Sequence, residues 1–386
     1  MKNLQFLNRV SRMNNDKLKK VLLFIIHRSS FIISKKFSLR LIVLFALQQS
    51  AVNISKVMAQ DLNLSQYQYA PMHTSPALTG FAVDGTLVSA QYRSQWTPLL
   101  GDNSFRTTSA NIEYRANNKS SDFWGYGAAF WSDQAGALRH TQGQLSVQYS
   151  KQLAGNDGLQ HILSAGGSVG VMQRLIDLTD RRWLSQYNGN GGYDPNLQGS
   201  NSDINNRTLI DIGIGLAWHT TFKNHSFASL ALAIQHLNKP DISQDKNSIF
   251  GNLYERYVLL LDSEVKLSTR TRLVSGVLMQ KQGPSLEYLP QIALKTIIVA
   301  DDFNDIALQL GGAVRIVNNL DAGQAVDAWV ALIRMDWNKF SFGFSYDINI
   351  SALRLTTNNN AVEVVCAYRM PRRKEINKLK KSPRYF

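Results

Sequence analysis

The sequence predicts an all-β fold, a transmembrane antiparallel β-barrel of about 14 strands with long extracellular loops and short periplasmic turns. Three observations predict it. Runs of ten to sixteen residues alternate between apolar and polar side chains with a period of two. No stretch after residue 60 is apolar enough for long enough to cross a bilayer as a helix, which takes about 20 residues. The connections between runs also differ in length according to their parity.

The alternation is clearest in residues 339–350. There Phe340, Phe342, Phe344, Tyr346, Ile348 and Ile350 share one face, and Ser341, Gly343, Ser345, Asp347 and Asn349 share the other. In residues 207–221, Ile210, Ile212, Ile214, Leu216 and Trp218 oppose Asp211, Gly213, Gly215, Ala217 and His219. In residues 142–150, Leu145, Val147 and Tyr149 oppose Gln144, Ser146 and Gln148. The predicted strands are 86–96, 105–115, 122–131, 138–151, 159–174, 206–221, 225–237, 252–268, 270–280, 286–299, 303–317, 323–336, 339–350 and 360–369. Their number is even, as single-chain bacterial barrels require.

If the first strand rises from the periplasm, the odd connections lie outside. They include the two longest, 175–205 and 238–251, whereas Lys223-Asn224, Thr269, Asp301-Asp302 and Trp337-Asn338 fall at even connections. A soluble β-sandwich is the alternative, but its strands are usually five or six residues long. Trp124, Trp131, Trp218, Tyr254, Tyr257, Trp329 and Trp337 near strand ends fit interfacial girdles.

The N-terminal region reads as a signal peptide over residues 1–59. Basic residues from Lys17 to Arg40 precede the apolar run of residues 41–47, and Val57-Met58-Ala59 supplies small or short residues for cleavage between Ala59 and Gln60. Seven apolar residues are too few for a membrane anchor. Translation can start at Met1 or Met13. Residues 60–85 are then an N-terminal periplasmic or plug segment, 86–369 the barrel, and 370–386 a basic periplasmic tail.

Charge follows the same division. The formal net charge is +14, but residues 1–59 carry +10, residues 60–368 carry −3 and residues 369–386 carry +7. The body offers no basic stripe for nucleic acid. The tail is either solvated or docks on an acidic partner or cell-wall polymer. One cysteine, Cys366 in the strand-like AVEVVCAY, excludes an internal disulfide framework and reads as a small buried or lipid-facing residue.

Sites of chemistry are sparse. His140, His161, His219, His225 and His236 are scattered, with no HExxH or nucleophile-elbow pattern. His219 with a Ser and an Asp would imitate a barrel hydrolase, and a lumen or rim role is the simpler reading. Asp301, Asp302 and Asp305 lack the spaced ligands of a calcium loop, and Gly189, Gly191 and Gly192 read as a surface loop. No catalytic, cofactor or metal site is expected. Arg93 and Gln95 share one face of the first strand and belong in the lumen, because charge facing lipid at mid-depth costs about 2–4 kcal/mol. Asp211 or Asp347 can pair with Arg93 there.

Several motifs resemble one family. Gln60-Asp61-Leu62 followed by Ser65-Gln66-Tyr67, then Ser75-Pro76-Ala77-Leu78-Thr79-Gly80, is similar to the opening of the PorP/SprF family. Tyr92-Arg93-Ser94-Gln95-Trp96 resembles its Tyr-Arg-x-Gln-Trp element. Residues 342–349, with Tyr346 and Asp347, resemble its penultimate strand, and Val362-Glu363-Val364 its last. Ser75 stands where the family has Asn, and Ser382-Pro383-Arg384-Tyr385-Phe386 replaces its Cys-Pro-Arg-Phe ending.

The resemblance implies an outer-membrane accessory or scaffold component of the type IX secretion system of Bacteroidetes. Such a component supports secretion or surface attachment of cargo with a C-terminal sorting domain, in some members within gliding-motility loci. Its partners would be outer-membrane lipid, secretion components and a cargo protein. A porin or small-solute transporter is the alternative, since Gly- and Ser-rich inward faces permit an open lumen.

Overall fold

Period-two alternation over fourteen consecutive segments leaves each strand one apolar and one polar face, and closure into a cylinder gives every edge a partner. The computed structural model describes residues 61–371 apart from 83, 102–103, 118–121, 157–158, 177–183, 189–191, 195, 198–206, 243–250, 301–304, 320–322 and 351–359. The expected cleavage site at Ala59 and Gln60, the turn Asp301-Asp302, and the tail beyond residue 371 lie outside the described residues.

The strands are β1 (Gly85–Gln95), β2 (Phe105–Asn117), β3 (Phe123–Ala135), β4 (Leu138–Asn156), β5 (Leu159–Ile176), β6 (Arg207–Thr221), β7 (Phe227–Gln235), β8 (Arg256–Lys266), β9 (Thr271–Gln282), β10 (Ser285–Ala300), β11 (Asp305–Asn319), β12 (Gly323–Trp337), β13 (Phe340–Asn349) and β14 (Ala361–Pro371). They form one closed antiparallel barrel in sequence order, with β14 returning to β1. Across that seam the register sets Arg93 opposite Glu363.

The wall is apolar outside and largely polar inside, the reverse of a soluble protein, with an inward apolar cluster that includes Val258, Leu260, Leu278 and Leu289 on β8–β10. Val88, Tyr92, Ile112, Tyr126, Phe130, Leu145, Ile212, Trp218 and Phe344 are exposed, while Ser89, Gln91, Arg93, Glu113, Gln144, Ser146, Asp211 and Asp347 are buried. Such a continuous apolar exterior has lipid as its solvent, which excludes the sandwich. Among the described residues no helix is long and apolar enough to cross a membrane; the strands cross instead. Cys366 faces outward from β14.

Two expectations change in detail. Trp131 does not join the outer girdle. It shares the parity of Gly125 and Ala129 on β3 and is buried in a cluster with Leu62, Leu64 and Ala70. Connection length also sorts less cleanly than parity suggested. The long connections 177–206, 236–255 and 350–360 all lie at one end of the barrel, but 136–137 and 283–284, at the same end, are tight.

Phe344 is 42% exposed on the outer face of β13, whereas its neighbour Ser345 is 0% exposed inside. Phe344→Arg should lose about 2–4 kcal/mol through charge facing hydrocarbon, read as loss of the heat-modifiable folded band on a gel, while Phe344→Leu keeps it. Ser345→Arg should fail as well, because its side chain would enter a filled lumen.

Candidate functional site: the occupied lumen

The described residues between 61 and 81 pack against inward-facing side chains of the wall, and their sequence suits that position. Short polar side chains and three single turns, Tyr67–Tyr69, Pro71–Thr74 and Pro76–Leu78, keep the segment compact. They also leave backbone N–H groups that need partners away from water. Ser75 caps the last turn by accepting from the Ala77 N–H, the role an Asn performs equally well.

The wall supplies the partners. The carboxylate of Glu363 accepts from the Ser65 and Gln66 amides, each at 2.8 Å. Ser65 Oγ donates to Asp347 at 2.9 Å and accepts from Arg93 at 3.1 Å and Arg315 at 2.7 Å. Arg93 pairs with Asp347 at 2.8 Å and Glu363 at 3.4 Å. Arg315 pairs with Asp347 at 3.2 Å and also with Glu287. Gln91 donates to the Gln66 carbonyl at 2.9 Å and Gln291 to the Ser65 carbonyl at 2.7 Å. Every charged group in this cluster is buried.

Further along, Tyr67 donates to Asp262 at 2.9 Å, Ser89 donates to the Tyr69 carbonyl at 2.8 Å, and the Gly80 amide donates to Glu113 at 2.7 Å. Arg334 donates to Gln68 at 2.5 Å, Gln280 to Asn63 at 2.8 Å, and Gln235 to the His73 carbonyl at 2.6 Å. Ser146 meets Thr79 at 2.7 Å.

From β3, β5 and β6 the contact is a close backbone approach at glycine. A Cβ on Gly125 would sit 2.0 Å from the Thr79 carbonyl oxygen, one on Gly166 2.5 Å from that of Pro76, and one on Gly215 2.4 Å from Ser75 Oγ. The glycines read from sequence as permitting an open lumen therefore form a bed for the segment.

At the mouth bearing the long connections, His236 is held between Asp61 at 2.5 Å and Asp211 at 2.8 Å. Arg256 lies 3.5 Å from Asp61 and donates to His73 at 2.8 Å. Burial disfavours the His236 imidazolium, but Asp61 and Asp211 together outweigh it and lift the pKa to about 10. Burial alone would raise the Asp61 carboxyl; His236 reverses that and holds it below the usual carboxylate range. His73, pushed well down by burial and by Arg256, stays neutral and accepts. The contact is a charged one across the neutral range.

Of the residues singled out in the sequence, Ser65, Gln66, Arg93, Asp347 and Glu363 meet in one cluster. Tyr67, Pro76, Ala77 and Gly80 lie along the segment, Gly80 with a left-handed φ of 69°. Tyr92 faces outward. Gln95 ends β1, and Trp96 leaves it at φ 62° to pack on Phe105, 4.8 Å between ring centres. The Tyr346 hydroxyl accepts from Asn360 at 2.6 Å.

Sequence reasoning missed Glu113, Asp262, Gln291 and Arg315. Inward parity marks each of them, but nothing in one-dimensional pattern names the partner. Asp211, a candidate for Arg93, serves His236 instead. His219 has no hydrogen-bond partner on either ring nitrogen, so no Ser–His–Asp arrangement forms there. Among the described residues no three His, Cys, Asp or Glu side chains are placed to hold a metal.

A closed, lipid-facing barrel with a polar, occupied lumen defines an outer-membrane β-barrel protein. Residues 57–368 match the family described as the type IX secretion system membrane protein PorP/SprF. The chain belongs to that family and is an outer-membrane protein associated with type IX secretion. No curated protein matches the sequence.

Among solved structures, CdiB from Escherichia coli is 11% identical with a TM-score of 0.39, over 73% of this chain and 62% of CdiB. The chain thus spans about three fifths of CdiB's length. The Pseudomonas putida toluene transporter TodX is 11% identical with a TM-score of 0.44, over 81% of this chain and 99% of that one. The NalP translocator domain from Neisseria meningitidis is 10% identical with a TM-score of 0.31, over 79% and 96%.

Replacing Arg93 with Met removes one buried cation from the cluster and leaves Asp347 and Glu363 undercompensated. Breaking such a pair costs about 3–5 kcal/mol. Arg93→Met should lower the urea midpoint of the detergent-solubilised barrel by a corresponding amount, while Tyr92→Phe, on the outer face, should leave it nearly unchanged.

Proposed function

We propose that the protein is a non-catalytic accessory scaffold of the type IX secretion machinery. It supports export or surface attachment of cargo that carries a C-terminal sorting domain. The observation that carries this reading is the occupation of the lumen by the chain's own residues 61–84, anchored by the Glu363–Ser65–Gln66 contact. A lumen filled and pinned by buried ion pairs does not serve bulk diffusion, so the working surfaces are the connections and the mouths. The long connections 177–206 and 236–255 face outward and meet cargo. The short connections and basic tail face the periplasm and meet secretion components. Cleavage between Ala59 and Gln60 frees the N-terminal end of the segment, which lies at the outer mouth beside His236.

Two measurements test this reading. In planar bilayers the purified wild-type barrel should show no steady conductance. Gly166→Val, whose side chain meets the Pro76 backbone, should conduct. Steady wild-type channels would establish the porin alternative. In cells, deleting the coding region should reduce surface display of C-terminal-domain cargo, with restoration by the wild-type copy. Unchanged display would overturn the scaffold reading.

A further inference from the structure

Between the luminal segment and the wall strands β6–β8 lies a cavity that the anchoring of the segment does not explain. Its volume is about 60 Å³, measured as the space open to the centre of a water-sized sphere, and it opens on one side. Its lining is mostly apolar and comes from both parts. Pro71, Leu78 and Phe81 belong to the segment, and Phe227 and Leu260 to the wall.

Into this surface the fold places one imidazole. His219 is 2% exposed and lies against Phe81 with ring centres 3.4 Å apart and planes 15° apart. Neither of its ring nitrogens has a hydrogen-bond partner. Burying an unsatisfied polar group is costly, and a Phe at this position would provide the same stack without that cost.

We propose that this cavity is a binding site for a small uncharged molecule with an apolar body and one hydroxyl, no larger than a phenol. The aromatic and aliphatic lining takes the body. The hydroxyl meets His219, and it does so in either tautomer, because a neutral imidazole offers one donor and one acceptor and a hydroxyl can answer both. An anionic head is disfavoured, since the Asp262 carboxyl lines the same cavity with Tyr67 as its donor. On the wall Glu363, Asp262 and Glu113 each accept a hydrogen bond from the segment, whereas neither nitrogen of His219, which faces this space, has a partner. The site is independent of the scaffold reading, which needs only that the segment be seated.

The test uses fluorine NMR on the full-length protein in detergent with 4-fluorophenol, fluorobenzene and 4-fluorobenzoate as probes. Ser229→Trp, which fills the cavity, measures partition into the micelle, and heat-modifiable migration verifies folding. Thr74→Phe fills it from the segment side if Ser229→Trp does not fold.

The wild type should bind 4-fluorophenol saturably, about fivefold more tightly than fluorobenzene, the contribution of one buried hydrogen bond. It should not bind 4-fluorobenzoate. His219→Phe should keep fluorobenzene binding and abolish the preference for the phenol, and either filled variant should remove saturable binding of both. No saturable phenol binding by the wild type, or a phenol preference that survives in His219→Phe, would overturn the assignment.

Discussion

The carboxylate of Glu363, on the last strand, accepts from the backbone amides of Ser65 and Gln66, and most of the luminal architecture depends on that contact. Glu363 is wholly buried at the seam where β14 closes on β1. A lone buried carboxylate would be costly. Here it is balanced by Arg93 directly across the seam, and Arg93 is shared with Asp347, which Arg315 also holds. Barrel closure and seating of the segment are therefore one event in physical terms. Without closure Arg93 and Glu363 are apart; without the segment the two acids lose Ser65 as a shared donor.

The membrane inverts the usual distribution of residues, and this fixes what the lumen contains. With lipid solvating the outside, the inside collects the Gln, Ser, Asp, Glu and Arg side chains that lipid rejects. Such a lumen must hold either water or protein with matching hydrogen bonds. The N-terminal segment provides such bonds to wall groups including Glu363, Asp347, Asp262 and Glu113, and on β3, β5 and β6 the glycines let its backbone approach. A function located at the mouths and connections follows from an interior already committed to the chain's own residues.

Much of the fold was legible because a period of two, repeated over long strands, admits few architectures. The residues 339–350 alternation corresponds to the observed faces of β13 position by position, and the inward placement of Arg93 followed from parity, which left Asp211 and Asp347 both open as its partner. The path of residues 61–84 was not legible. They carry no periodicity, and their order comes from groups hundreds of residues away, such as Glu363 and Asp347. Trp131 was misplaced because aromatic position along a strand suggested an interface, whereas parity on β3 decides. Glycine in an inward face has two readings, empty space or close approach, and only the position of Thr79, Pro76 and Ser75 selects the second.

The central claim, that residues 61–84 are held in the lumen by Glu363, is tested most directly by thiol accessibility at Ala77, which is 0% exposed. In a Cys366→Ser background, Ala77→Cys in folded barrels should resist a charged water-soluble maleimide for as long as the barrel stays folded, and should label readily once Glu363→Ala is added. Rapid labelling of Ala77→Cys with Glu363 intact would show that the segment is not seated in the lumen and would contradict the account.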